Sequence, residues 1–366
     1  MRRGAYHIGY QLFIKREKID WIMKNLVYTI LAIAFFISIV GCDKDTDEFI
    51  KTDETKDVKP GAATVIDTIW QEESTALTRP TDLAKLFPIE KINDQLEKPV
   101  SKDSIIAENG GKIVTPDMTI EFPANCCVGR NGICKGKLDI EYLLLRTKGE
   151  LIGSDKPTIS DGKLLISGGV VYIVAKQNGE LVRINANKNV TIKYKMRPTE
   201  TGMSFFEGRG IDRFKFNWVQ INSGTLGNGI PVWRDSMEQP IGYQIITDRF
   251  GWINCDKFYG ENNLTDKIAL SLPDSFTNTN TGAFLIFKDI LSVVKLEGNP
   301  VTKQFSIPKN YKGVPIGKQV TVVTFSNIKD RTYFDVQDLT IAQTNALRMR
   351  PLPVDLLEIK KKIQGF

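Results

Sequence analysis

The chain of 366 residues carries 49 Lys and Arg against 43 Asp and Glu, and 42% of its residues are hydrophobic. This composition is ordinary for soluble domains, and the small positive charge is not gathered in a basic patch with interleaved aromatic residues. Nucleic-acid binding is therefore not expected.

A leader typical of bacterial lipoproteins lies before Cys42. Lys24 provides a positive start, and residues 26–40 form an apolar run that is shorter than the ~20 residues of a membrane-spanning helix. The run ends in Ile39-Val40-Gly41-Cys42, which resembles the lipobox that the lipoprotein signal peptidase cleaves. An uncleaved single-pass anchor is the alternative, but a strongly polar segment follows Gly41 at once. We expect removal of residues 1–41, with Met23 as the true start, and acylation of Cys42.

Loss of the leader changes which chemistry the mature chain can perform. Residues 1–41 hold six basic and two acidic residues, so 43 basic and 41 acidic residues remain. The single histidine, His7, also lies in the leader, which removes the commonest general base and zinc ligand. No catalytic motif is present, so we expect neither an enzyme nor a cofactor or metal. A hydrolase with paired carboxylates is the least favoured alternative.

Residues 42–60 are predicted to be a lipidated, disordered tether. The segment Asp43–Lys59 has seven acidic residues, four lysines and too few apolar residues to offset the entropy of ordering. Its acidic run resembles the export signal of surface lipoproteins in Bacteroidetes-type bacteria, although Asp43 directly after the cysteine also resembles an inner-membrane retention signal. We expect a cell-envelope location, at the outer membrane, facing the periplasm or the exterior.

Beyond residue 105 the sequence consists of short apolar segments between Gly and Asn turns. The predicted strands are Lys112-Ile113-Val114, Met118–Pro123, Leu138–Leu145, Gly168–Ala175, Val190–Tyr194, Lys267–Pro273, Ala283–Phe287, Ser292–Leu296, Lys303–Ile307 and Gln319–Phe325. Short strands at this spacing indicate an all-β protein of two antiparallel β-sandwich domains, over residues 105–260 and 261–350. Residues 61–104 are expected to be irregular with short helices, and residues 351–366 to be a tail or a short helix.

Four cysteines follow Cys42, namely Cys126, Cys127, Cys134 and Cys255. Export to an oxidising compartment favours their pairing as disulfides. A bridge between Cys126 and Cys127 would be strained, so we expect one of them to pair with Cys134 and the other to reach Cys255. Free thiols are one alternative. A zinc site is another, but the spacing is not Cys-x2-Cys and no histidine is available.

Three motifs carry a resemblance to a known group of proteins. Gly110-Gly111-Lys112-Ile113, Ile120-Glu121-Phe122-Pro123-Ala124-Asn125 and Gly168-Gly169-Val170-Val171-Tyr172 resemble a β-sandwich common in uncharacterised lipoproteins of Bacteroidetes-type bacteria. That sandwich is distantly similar to the one in netrin receptors and ankyrins. The resemblance covers about residues 105–260 and implies a fold, not an activity. The cysteine insertion at residues 126–134 does not belong to the pattern.

Aromatic residues are frequent between residues 205 and 252. Trp218, Trp233 and Trp252 are candidate ligand-binding residues, because such rings can stack on sugars. The favoured interpretation places them in the core, where large apolar side chains usually lie.

These observations predict a lipid-anchored envelope protein with a non-catalytic binding, adhesion or assembly role. Its expected partners are the membrane, through the lipid on Cys42, and an envelope protein or a glycan. The alternative is a carbohydrate- or peptide-binding accessory lipoprotein that uses residues 205–252.

Overall fold

The structure is a computed structural model that describes residues 68–70, 87–210, 216–221, 229–260 and 263–366. The leader, Cys42 and the predicted tether lie outside these residues. Of the helices in the described ranges, none combines the length and the apolar character that crossing a bilayer requires.

The described residues are mostly β-strand, which confirms the predicted all-β class. The strands are β1 (Ser101–Ile106), β2 (Gly111–Val114), β3 (Met118–Phe122), β4 (Cys127–Gly129), β5 (Gly132–Ile133), β6 (Lys137–Leu145), β7 (Ile159–Ser160), β8 (Lys163–Gln177), β9 (Glu180–Leu181), β10 (Arg183–Ile184), β11 (Val190–Lys195), β12 (Ser204–Arg209), β13 (Asn217–Gln220), β14 (Val232–Arg234), β15 (Pro240–Thr247) and β16 (Gly251–Phe258). They continue with β17 (Leu264–Thr265), β18 (Ile268–Ser271), β19 (Thr281–Phe287), β20 (Val293–Asn299), β21 (Gln304–Ser306), β22 (Val314–Pro315), β23 (Gln319–Ile328), β24 (Arg331–Thr340), β25 (Asn345–Arg348) and β26 (Leu352–Pro353). The helices are α1 (Pro88–Leu96), α2 (Lys148–Gly153) and α3 (Leu356–Gln364).

Three large sheets organise these strands. Sheet I has the order β1-β6-β8-β16-β12-β13, with β7 and β9 also paired to β8, and sheet II has the order β14-β15-β11-β3-β2. Sheet III has the order β25-β18-β21-β20-β19-β23-β24-β26. Among the described strands, pairing is antiparallel except for β18 with β25, which is parallel and departs from the purely antiparallel prediction.

Strand β8 explains how sheet I can be covered on both faces. Val171 and Ile173 belong to a first core that sheets I and II enclose, as in a β-sandwich. Val170 and Tyr172 point the other way, because side chains alternate along a strand. They belong to a central core that sheet I shares with sheet III and the three helices. An uninterrupted apolar run is what a strand buried on both faces requires.

Strand β19 shows the same division in sheet III. Phe284 and Ile286 lie in the central core, whereas Ala283 and Leu285 lie in a third core on the other face of the sheet. The central core therefore crosses the domain boundary that the sequence predicts near residue 260.

The hairpin turns follow the predicted Asx-Gly signals. Asp161 and Gly162 both have positive φ between β7 and β8, and Asn178 and Gly179 do so between β8 and β9. Two consecutive positive φ values match the twist of a two-residue hairpin, and Asn, Asp and Gly tolerate them best.

The first strand begins earlier than predicted. It starts at Ser101 rather than near residue 105, and its first four side chains are exposed on an edge of sheet I. An exposed edge strand carries no apolar alternation, so the sequence pattern does not reveal it.

The helices cover the open side of the central core. Ile89 and Ile92 of α1 are buried there, as are Ile359 and Ile363 of α3. Helix α2 approaches α3 so closely that a Cβ on Gly149 would lie 1.9 Å from the carbonyl oxygen of Ile363.

Candidate functional site

Residues 154–160 form a buried connection between α2 and β8, at the contact of sheets I and III. The backbone amide of Thr158 donates to the Val293 carbonyl at 2.9 Å, and the Thr158 hydroxyl donates to the same carbonyl at 3.1 Å. The Val293 amide in turn donates to the Thr158 hydroxyl oxygen at 2.9 Å. The indole Nε1 of Trp218 donates to the Pro157 carbonyl at 2.9 Å. A buried connection must satisfy its backbone polar groups internally, and these bonds do so.

Trp218 and Trp252 lie in the central core and do not form an exposed stacking surface. Trp218 is fully buried and meets Phe216 edge to face, with ring centroids 4.8 Å apart. Trp252 is buried against Tyr172, also at 4.8 Å. Sheet III covers the face of sheet I from which both indoles project, so the core interpretation applies to these two residues.

A buried lysine lies between the same aromatic rings. The Lys156 Nζ is 4.5 Å from the ring centroid of Phe216 and 4.6 Å from that of Trp252, and it donates to the Ser154 carbonyl at 3.2 Å. Cation–π contacts of this kind offset part of the cost of removing an ammonium group from water. These contacts place the amine among packed aromatic rings.

An ion pair joins the 154–160 connection to sheet III. The Lys295 Nζ on β20 lies 2.6 Å from Oδ2 of Asp155, whose side chain is only 2% exposed. Removing one partner of such a pair would leave a buried charge without compensation. Asp155 also adopts a positive φ, which its short polar side chain tolerates.

Trp233 occupies a different environment. It lies on β14, an edge strand of sheet II, and its side chain is partly exposed. The turn that follows carries Met237, which is 75% exposed. Of the three tryptophans that the sequence proposes as ligand-binding residues, only Trp233 is partly exposed.

A buried acid lies where β16 bulges against β8. The Asn254 amide donates to Oδ2 of Asp256 at 2.5 Å, and the Ser167 hydroxyl donates to Oδ1 of Asn254 at 3.1 Å. Burial raises the pKa of Asp256 well above its usual range, against the lowering effect of its polar neighbours Ser167, Gly168 and Asn254. The carboxyl is enclosed by the first core, so it is suited to a structural role.

The four cysteines are buried, unbonded thiols in the structure. Sγ of Cys126 and Sγ of Cys127 are 3.4 Å apart, and Cys134 follows β5 on the adjoining strand. Cys255 lies within β16, where its electrostatic neighbours are Tyr194 and Asp256. The predicted disulfide pairing stays a prediction. In the described ranges, no group of three or more His, Cys, Asp or Glu residues is arranged to hold a metal ion.

Trp70, in the described segment 68–70, packs against sheet III. Its ring centroid is 5.4 Å from that of Phe305, and its edge lies over Gly298, where a Cβ would be 2.8 Å from the indole. The glycine allows the indole to contact the β20–β21 hairpin. Ile69, its neighbour, is exposed.

No sequence pattern marks Lys156, Asp155 or Lys295. Each is one charged residue in an ordinary local context, and only tertiary packing brings it to its partners. Trp70 carried no signal either, because the segment around it has no regular period. No protein-family model matches the chain, and no curated protein shows significant similarity to it.

Proposed function

We propose that this chain is a lipid-anchored protein of the cell envelope, held by acyl chains on Cys42, with a non-catalytic role in binding, adhesion or assembly. The apolar leader that ends in Gly41-Cys42 supports the anchor, and the acidic segment after it supports a tether. The location is the outer membrane, on its periplasmic or outer face.

The apolar leader that ends in Gly41-Cys42 is the observation that carries the proposal. Within the described residues, Trp70 contacts the β20–β21 hairpin, so the segment 68–70 packs on sheet III. The 25 residues from 43 to 67 span at most about 85 Å when extended. That reach lets the body meet partners well beyond the lipid head groups while it stays attached.

The placement of the buried ionisable groups supports a non-catalytic role. Asp155, Lys156 and Asp256 are buried and are engaged in contacts within the protein, and the partner of Asp155 is the partly exposed Lys295. A general acid or base must reach a proton on a substrate, and these positions favour structure over such a reaction.

Acylation is tested with the full chain in a Gram-negative host that is fed an alkyne-labelled fatty acid. We expect wild type and the leader variant Ser38→Ala to take up label and to sediment with outer membranes. Cys42→Ala should lose both properties, because it lacks the thiol that carries the lipid. Label and membrane association that persist in Cys42→Ala would refute the proposal. Protease treatment of intact cells then distinguishes the outer face from the periplasmic face.

The partly exposed ring of Trp233 favours one alternative, a carbohydrate- or peptide-binding accessory lipoprotein. An edge strand offers unpaired backbone groups to an extended peptide, and an indole offers a stacking surface to a sugar. Glycan- and peptide-array binding that Trp233→Ala removes and Met237→Ala retains would support this role. Equal binding by wild type and Trp233→Ala would exclude that ring.

A further inference from the structure

Cys127 and Cys134 are directly opposite each other across the β4–β5 hairpin. The register pairs Val128 with Ile133 and Gly129 with Gly132, and the next pair outward is Cys127 with Cys134. The Cys134 amide donates to the Cys127 carbonyl at 3.0 Å. Opposite residues of a hydrogen-bonded pair have Cα atoms about 5.5 Å apart, with side chains on one face, and a disulfide accepts that separation.

Cys126 is the neighbour of this pair through a local irregularity of the chain. Asn125 has a φ of 57°, and Cys126 precedes the first residue of β4. The side chains of Cys126 and Cys127 therefore do not point to opposite faces as in a regular strand, and their sulfurs lie 3.4 Å apart. One thiol is thus placed beside a pair that can cross-link.

Electrostatic effects agree with this grouping. The pKa of the Cys126 thiol is lowered, chiefly by a hydrogen bond from Cys127. The positive charge of Lys188 lowers this pKa further. The Cys126 thiol and burial both raise the pKa of Cys127, and the charge of Cys134 raises it further. Cys255 stands apart, since its neighbours are Tyr194 and Asp256.

The hairpin also offers a route for reagents to reach the thiols. Gly132 and Ile133 are exposed, and β5 is a two-residue strand at the end of its small sheet. Such a short edge strand opens locally without unfolding of the rest.

We propose that Cys126, Cys127 and Cys134 form a redox-active three-thiol site, in which Cys127 and Cys134 cross-link across the hairpin and Cys126 exchanges with that bond. The oxidant is a small disulfide such as oxidised glutathione. The Cys134 thiolate attacks one glutathione sulfur and releases the other as a thiolate. The Cys127 thiolate then attacks Sγ of Cys134 and releases the second glutathione. Two protein thiols lose two electrons and two protons, and the glutathione disulfide becomes two glutathione thiols.

The exchange step involves no net oxidation. The Cys126 thiolate attacks Sγ of Cys127, the Cys127–Cys134 bond breaks, and Cys134 leaves as a thiolate that takes up the proton lost by Cys126. The product has a free Cys134 and a Cys126–Cys127 bond, and the strain of a bond between adjacent residues keeps this product the minor form.

Tryptic digestion separates the competing pairings. Trypsin cuts after Lys112, Arg130, Lys135, Arg249 and Lys257, so Cys126 and Cys127 fall in peptide 113–130, Cys134 in 131–135, and Cys255 in 250–257. The detergent-solubilised full chain is equilibrated in glutathione buffers, quenched with acid, labelled with N-ethylmaleimide and digested. The Cys127–Cys134 form should appear as peptide 113–130 linked to peptide 131–135, with one label on Cys126. The Cys126–Cys127 form should appear as unlabelled peptide 113–130 that lacks two hydrogens, together with labelled peptide 131–135. Peptide 250–257 should be labelled in both forms.

Serine variants assign the individual sulfurs. C126S should keep the linked pair and lose the form of 113–130 that lacks two hydrogens. In C127S, peptides 113–130 and 131–135 should become linked at least about tenfold more slowly, because Cys126 does not lie directly opposite Cys134. C134S should still oxidise within 113–130, and C255S should behave as wild type. Far-ultraviolet circular dichroism of each variant verifies that it is folded.

Three results would overturn the proposal. The first is a link from 250–257 to either of the other two peptides in wild type. The second is cross-linking of C127S as fast as C126S. The third is full labelling of both cysteines of C134S in a buffer that oxidises wild type, which would remove the exchange step.

Discussion

Replacing Trp218 by phenylalanine tests whether this indole is a structural element of the central core. The variant keeps an aromatic ring but removes the Nε1 donor, so the buried Pro157 carbonyl loses its partner. An unsatisfied buried acceptor costs about 1–3 kcal/mol of unfolding free energy. Trp218→Ala also empties the site beside Phe216 and should cost about 3–5 kcal/mol.

The measurement is guanidinium-induced unfolding of the full chain in detergent, followed by far-ultraviolet circular dichroism so that loss of indole fluorescence does not interfere. Trp233→Phe is the matched control, because its ring is partly exposed on an edge strand and its replacement should change stability by less than about 0.5 kcal/mol. If Trp218→Phe also stays within about 0.5 kcal/mol of wild type, the indole does not hold the 154–160 connection as described.

Three further substitutions test the buried groups. Burial favours the protonated form of Asp256 in the folded protein, whereas the unfolded chain releases this proton above about pH 4. The unfolding free energy of wild type should therefore fall relative to that of Asp256→Asn as the pH rises from about 4 to the folded pKa, by up to about 1.4 kcal/mol per pH unit. Parallel unfolding free energies of the two proteins between pH 5 and 8 would contradict this. Gly149→Ala should lower the melting temperature, because the added Cβ would overlap the backbone of α3. The control Gly260→Ala should not, because the space around Gly260 is open. Equal melting temperatures of the two variants would refute the contact between α2 and α3. Lys295→Met should lower the unfolding free energy by about 3 kcal/mol, because it leaves the carboxylate of Asp155 buried without its partner. The double variant Asp155→Asn/Lys295→Met should recover part of this loss in the same unfolding assay. A double variant less stable than Lys295→Met alone would argue against the pair.

Local pattern is sufficient for much of the β-structure. The run around Val170 and Tyr172 and the run around Phe284 were both predicted as strands, and both are. Alternation, β-branched residues and Asx-Gly turns act within a few residues, so a single sequence displays them. The strand that begins at Ser101 was missed in part because its exposed edge residues have no such pattern.

The candidate site was much less accessible to sequence reasoning. Trp218, Trp233 and Trp252 were grouped because they are aromatic, yet sheet III buries two of them and leaves the third at the edge of sheet II. Whether an indole meets solvent depends on which sheet covers its face, and that partner lies far away in sequence.

The amino-acid sequence alone determined that this protein is built mostly from short antiparallel strands and where several of its hairpins turn. Tertiary structure alone decided that sheet I is covered on both faces, that Asp155 meets Lys295 across the two halves of the chain, and that Cys127 rather than Cys126 lies opposite Cys134. Strand and turn preferences come from neighbours along the chain. Burial, charge pairing and register across sheets depend on residues that folding alone brings together.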